Sequence, residues 1–241
     1  MKILSIGNSF SQDAHRYLHE IAKHDGVDIF TTNLNIGGCP LESHYKNIVE
    51  DNESYDLEIN GGCASRRISI KSALLSDEWD YVTLQQASDK SWDYATYNPY
   101  LKEIFDYVKK LCPKAKILLQ QTWFYEENSE RLFNITPFKT SEEMFLAIEK
   151  SYNNCLRDLP FDGIIPSGKT MLQALKLGIG KIHRDTFHAS LGVGRYLIGL
   201  VWYKYLTDKD ITTNTFDSLD EPITNEQREI VIKAVNTILN K

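Results

Sequence analysis

Apolar positions along the chain switch repeatedly between short continuous runs and stripes every three or four residues. Residues 2–7 are an apolar run closed by Gly7-Asn8-Ser9, the pattern of a buried strand meeting a turn. Residues 12–25 place Ala14, Tyr17, Leu18, Ile21 and Ala22 on one side, which predicts an amphipathic helix. Residues 27–36 are rich in β-branched side chains and stop at Gly37-Gly38, predicting a second strand. The alternation continues with strands over 80–85, 115–120 and 163–166. Helices are predicted over 68–75, 100–111, 140–156, 170–177, 189–206 and 224–240. Pro113 stops one of these helices, Thr140 or Ser141 caps another, and Thr224 with Gln227 has capping-box spacing.

About five apolar strands alternating with helices predict the α/β class, with a parallel sheet covered on both faces. The 241 residues fit one domain. Segments near 43–65, 87–98 and 122–140 read as loop insertions, and two of them directly follow predicted strands. The net charge of −6 argues against a nucleic-acid face, which would be basic. Four cysteines without a C-x-x-C spacing are expected as thiols. No run of 18 apolar residues predicts a membrane span, and the strand at residue 2 leaves no visible leader. The expected location is therefore cytoplasmic, or secreted if a leader was trimmed. The expected partner is a small molecule, with no nucleic acid and no membrane.

Open parallel sheets bind ligands at the carboxyl ends of their strands. Beyond those ends stand Asn8-Ser9, then Gly37-Gly38, then Gln85-Gln86, and later Asp185-Thr186-Phe187-His188. This set suits acyl transfer. A serine hydroxyl needs a base, His188 can be that base, and Asp185 can fix its tautomer. The oxyanion of the tetrahedral intermediate needs donors. The candidates are the Ser9 N–H, the Gly38 N–H and the side-chain amide of Gln85 or Gln86. Strand alternation lets only one glutamine face the site, and Gln86, past the strand end, is favoured over Gln85. Trp92, Trp123 and Tyr125 follow strands three and four, and their rings suit a sugar or an apolar acyl group at the mouth. Packing of long loops accounts for such rings equally well. Arg66, Arg67 and Arg184 match a carboxylate in shape, though surface charges explain them too.

Ile6-Gly7-Asn8-Ser9-Phe10-Ser11, Gly37-Gly38 and Asp185-x-x-His188 together resemble the ordered blocks of the SGNH hydrolases, the GDSL-like esterases and lipases. The variant motifs look closest to an uncharacterised bacterial branch with likeness to carbohydrate acetylesterases. The resemblance implies a flavodoxin-like three-layer α/β/α sandwich. It also implies hydrolysis of a small acyl ester, an acetyl ester on a carbohydrate being the expected substrate, and it implies no cofactor. Two positions depart from the pattern. Asn8 replaces the usual acid beside the nucleophile, and Leu84-Gln85-Gln86-Ala87-Ser88 stands where Gly-x-Asn-Asp is usual.

Two other readings compete. His15 and His19 lie four apart, and His183, Asp185 and His188 lie close in sequence, so either group could ligate zinc. No H-E-x-x-H pattern supports this, and no metal is expected. The altered blocks also fit a catalytically inactive carbohydrate-binding protein on the same fold.

Overall fold

The computed structural model describes residues 1–240. Strand β1 (Lys2–Gly7) leads into two short helices, α1 (Ser9–His15) and α2 (Leu18–His24). There follow β2 (Phe30–Asn35), α3 (Leu41–Glu50), β3 (Tyr55–Ile59), β4 (Gly62–Ile68), α4 (Ile70–Leu75) and β5 (Tyr81–Leu84). After a 3-10 turn at Tyr94–Tyr97 come α5 (Tyr100–Leu111), β6 (Lys116–Gln120), α6 (Glu130–Ile135) and α7 (Ser141–Asp158). The chain ends through β7 (Gly163–Ile165), α8 (Ser167–Lys176), α9 (Val193–Thr207) and α10 (Asn225–Leu239).

One seven-stranded sheet runs β4-β3-β2-β1-β5-β6-β7. Its parallel part, β2-β1-β5-β6-β7, has the flavodoxin-like order 2-1-3-4-5 when only parallel strands are counted. Helices α1, α2, α8, α9 and α10 pack together on one face, and α3, α4 and α5 form a group of their own. The result is a three-layer α/β/α sandwich. Its centre is apolar: Ile3, Leu4, Ile6, Val82, Leu84, Ile117 and Leu119 are buried in the sheet, and the apolar α9 lies against it. The predicted capping box forms at Thr224–Gln227, and of the two cap candidates at the other helix Thr140 is the cap, closing a capping box with Glu143.

The sheet has seven strands rather than about five, because the segment near 43–65, expected as a loop, folds. Strands β3 and β4 are an antiparallel hairpin added beside β2. Its turn is Asn60-Gly61, both at positive φ (49° and 76°), the tight-hairpin pair whose twist matches the flanking strands. The predicted helix 12–25 is broken near Arg16 and Tyr17. The hairpin tip presses there: a Cβ on Gly61 would lie 2.5 Å from the Arg16 carbonyl oxygen. The segments near 87–98 and 122–140 likewise carry the 3-10 turn and α6. Among the described residues, no helix is long and apolar enough to cross a membrane.

Candidate active site

Ser9 is the first residue of α1, directly beyond the carboxyl end of β1. The Asn8 side chain caps this helix, its Oδ1 accepting from the Phe10 N–H at 3.0 Å. From the far end of the chain, a tight loop returns Asp185 and His188 to the same place. The loop is closed by pairing of His183 with Ala189 and by the Arg184 N–H donating to the His188 carbonyl. Thr186 at its tip has φ 74°, a conformation a β-branched residue rarely adopts. Its carbonyl is held by the Glu126 N–H at 2.7 Å.

The three side chains form one hydrogen-bonded chain. Ser9 Oγ lies 2.8 Å from His188 Nε2, and His188 Nδ1 lies 2.8 Å from Asp185 Oδ2. The other Asp185 oxygen accepts from the His188 backbone N–H at 2.9 Å. With the proton on Nδ1 facing the carboxylate, Nε2 is free to accept from the serine. Burial pushes the Asp185 carboxyl up. The His188 side-chain and backbone hydrogen bonds, with the nearby Arg184 charge, outweigh it and hold the carboxyl below its ordinary value.

A cavity of about 360 Å³ opens onto Ser9 and His188, bordered by Gly37, Gly38, Ser88 and Arg131. Gly38 has φ 65°, so the glycine is what lets this turn form. Neither the Ser9 nor the Gly38 N–H has an acceptor among the described residues. Both border the cavity and can serve an oxyanion. A larger hollow, about 910 Å³, lies at the opposite, amino end of the strands beside Tyr81 and Lys116 and contains none of these groups.

The structure engages both glutamine amides elsewhere. Gln85 Nε2 donates to Asn8 Oδ1 at 2.7 Å, and Asn8 Nδ2 in turn donates to the Cys39 carbonyl at 3.2 Å. Gln85 thus joins the ends of β5, β1 and β2 through Asn8. Gln86 Oε1 accepts from the Leu41 and Ala87 N–H groups, and its amide donates to Thr96. Neither glutamine borders the cavity, so the expected side-chain oxyanion donor is not found there. The expected aromatic mouth is also not found. Trp123 is fully buried, stacked on Phe10 at 4.0 Å and bonded to the Phe187 carbonyl. Tyr125 is fully buried against Ser88, and Trp92 packs edge-on against Phe138 away from the cavity. Trp123 and Tyr125 instead pack behind the site, against Phe10 and Phe187.

His15 and His19 are separated by the helix break. His15 is buried and shares a hydrogen bond with Ser5 Oγ at 2.7 Å, and burial lowers it to about 3. His183 donates to the Phe124 carbonyl rather than joining Asp185 and His188. Sequence reasoning missed Asp13. This wholly buried carboxylate of α1 binds Arg184 at 2.9 and 3.0 Å, Arg195 at 2.8 Å and the Ala189 N–H at 3.1 Å. It ties the helix carrying Ser9 to the loop carrying His188. Arg184, a candidate carboxylate ligand by sequence, is committed to it. Nothing at position 13 marks it in the sequence, since its partners lie more than 170 residues away.

The family model described as domain of unknown function (DUF4886) matches residues 2–236. A DUF4886 family protein from Bacteroides uniformis is 32% identical, with a TM-score of 0.92 over 99% of this chain and 95% of its own. A protein from Slackia heliotrinireducens, assigned by inference to the SGNH hydrolases, is 19% identical with a TM-score of 0.60, over 86% and 98%. A catalytic mutant of Axe2, an acetylxylan esterase from Geobacillus stearothermophilus, is 12% identical with a TM-score of 0.56, over 86% and 94%. The chain therefore shares its fold with SGNH hydrolases and acetylxylan esterases. No match was found among curated proteins.

Proposed function

The chain belongs to the DUF4886 family, and on that footing we propose that it is a serine esterase acting through Ser9, His188 and Asp185. One observation carries the reading: an unbroken Ser9–His188–Asp185 hydrogen-bond chain, 2.8 Å at each link, opening on a cavity flanked by two free backbone N–H groups. His188 takes the Ser9 proton as the oxygen attacks the ester carbonyl. The imidazolium formed faces the Asp185 carboxylate. The Ser9 and Gly38 N–H groups receive the oxyanion. His188 then returns the proton to the leaving alcohol, and water hydrolyses the acyl-enzyme by the same route.

The small cavity beside Ser9 favours a short acyl group such as acetyl, and the acetylxylan esterases among the structural relatives support a carbohydrate alcohol. A second reading, carbohydrate binding without turnover, draws on the absence of a glutamine donor from the cavity. The test is hydrolysis of p-nitrophenyl acetate and of acetylated sugars by wild type and Ser9→Ala, with fluorophosphonate labelling of Ser9. Ser9-dependent turnover and labelling are expected. If Ser9 neither labels nor matters to turnover, the binding reading replaces this one.

A further inference from the structure

Arg131, on α6, is the one arginine bordering the Ser9 cavity, and the structure leaves it without an acid. The other arginines around this end are spoken for: Arg184 and Arg195 bind Asp13, and Arg16 binds Asp220. Arg131 is in none of the salt bridges among the described residues; its Nε is buried and unpaired, so the terminal nitrogens, near the Tyr125 hydroxyl, are the ones a ligand would meet. Asp89 borders the same cavity but is exposed and does not pair with it. The guanidinium is nevertheless held in place. Its central carbon lies 3.6 Å from the centre of the Phe187 ring and 5.1 Å from that of Tyr125. A planar fork fixed on an aromatic face beside a cavity, with no carboxylate of its own, is arranged to receive a planar anion.

Its place also says which part of a substrate would reach it. The Phe187 ring is 3.8 Å from the His188 ring, centre to centre, and Arg131 lies on Phe187 in turn. His188 must protonate the leaving oxygen, so the leaving alcohol occupies this side of the cavity. The oxyanion donors are the Ser9 and Gly38 N–H groups. We propose that Arg131 binds a carboxylate on the alcohol portion of the ester, so that the substrate is an acylated acidic alcohol such as an acidic sugar. This rests on the esterase reading and names its substrate class.

The probe pair is 3-acetoxybenzoate and its methyl ester, which differ in the carboxylate charge. Two measurements are made. The first is kcat/KM for both probes in wild type and Arg131→Gln. The second is calorimetric binding of both probes to Ser9→Ala and to Ser9→Ala/Arg131→Gln, which needs no turnover. Wild type should favour the carboxylate by about tenfold or more, the scale of a charge-assisted bidentate contact, and Arg131→Gln should bring the ratio to about one. Melting curves establish that each variant is folded, and Arg131→Lys, which keeps charge but not the fork, should retain only part of the preference. A wild-type ratio near one, or a ratio that survives Arg131→Gln, overturns the inference while leaving the esterase intact. Absence of all turnover with the binding preference present overturns the esterase reading and leaves a carboxylate-binding site.

Discussion

A serine hydroxyl is a weak nucleophile at neutral pH, so what Ser9 can do is set by the atoms 2.8 Å around it. Ser9→Ala and His188→Ala should each lower kcat by roughly 10⁴-fold or more, and by similar factors, because the two act as a unit. Asp185 differs. Its side chain is 47% exposed, so water can partly replace it, and Asp185→Asn should lose at least about tenfold less than Ser9→Ala. Steady-state kinetics on the three variants checks this order, and equal losses would contradict the exposed role of Asp185. The two glutamines separate in another way. Gln85→Ala removes one of the three hydrogen bonds that hold the Asn8 side chain and unties β5 from it, so kcat should fall by about tenfold with KM little changed. Gln86→Ala strips the acceptor from the Leu41 and Ala87 N–H groups and should cost about 1–3 kcal/mol of stability instead, read by denaturant unfolding. The sequence made Ser9, Asp185 and His188 legible because each carries chemistry that few residue types share. It could not orient the glutamines, since an amide's direction is decided by partners in other loops.

Elements, rather than single residues, bring Ser9 and His188 together across 179 positions of sequence. The clamp is Asp13, buried between α1 and the 183–189 loop with Arg184 and Arg195 around it. Asp13→Asn leaves two guanidinium groups facing a neutral amide in a buried place, and should cost about 3–5 kcal/mol. A purely structural loss would leave the kinetics of the folded fraction alone. A loosened clamp should instead lower kcat measured below the melting range and slow fluorophosphonate labelling of Ser9, with KM nearly constant. Asp77→Asn serves as the comparison, because Asp77 pairs with Lys2 at the amino end of the sheet and touches neither arginine of the clamp nor the His188 loop. Elements also explain where the sequence reading fell short. Asn60-Gly61 is a strong hairpin signal, yet β4 behind it is exposed from Gly62 to Arg67 and offers no apolar run to mark a strand. An edge strand with Arg66 and Arg67 outward is protected from pairing with other chains by the same polarity that hides it. The parallel core was legible because its strands, covered on both faces, are short runs rich in apolar and β-branched residues.

The molecule as a whole carries three neutral imidazoles in its interior, and their sum governs its response to acid. His15 bonds Ser5 beneath β1, His44 bonds Tyr55 Oη at 2.8 Å between α3 and β3, and His183 bonds the Phe124 carbonyl. Burial lowers His15 and His44 to about 3 and His183 to about 4, against 6.5 for a free side chain. A group lowered on folding binds its proton more readily in the unfolded chain. Stability is therefore full above 6.5 and is lost as pH falls towards the folded values. Each such proton is worth ~1.4 kcal/mol per pH unit, so three together give a slope of roughly 4 kcal/mol per unit near pH 5. Two units below 6.5 the loss reaches roughly 8 kcal/mol, within the range of a whole domain's stability, about 5–15 kcal/mol. The protein should accordingly unfold at roughly pH 4–5, near the top of the range in which carboxylates titrate. Urea midpoints measured from pH 7.5 down to 4.5 test this, and His44→Gln should remove one proton's share of the slope, about a third. A stability that stays flat across that interval would mean these imidazoles are hydrated or already charged in the folded protein, and would contradict the buried network assigned to them.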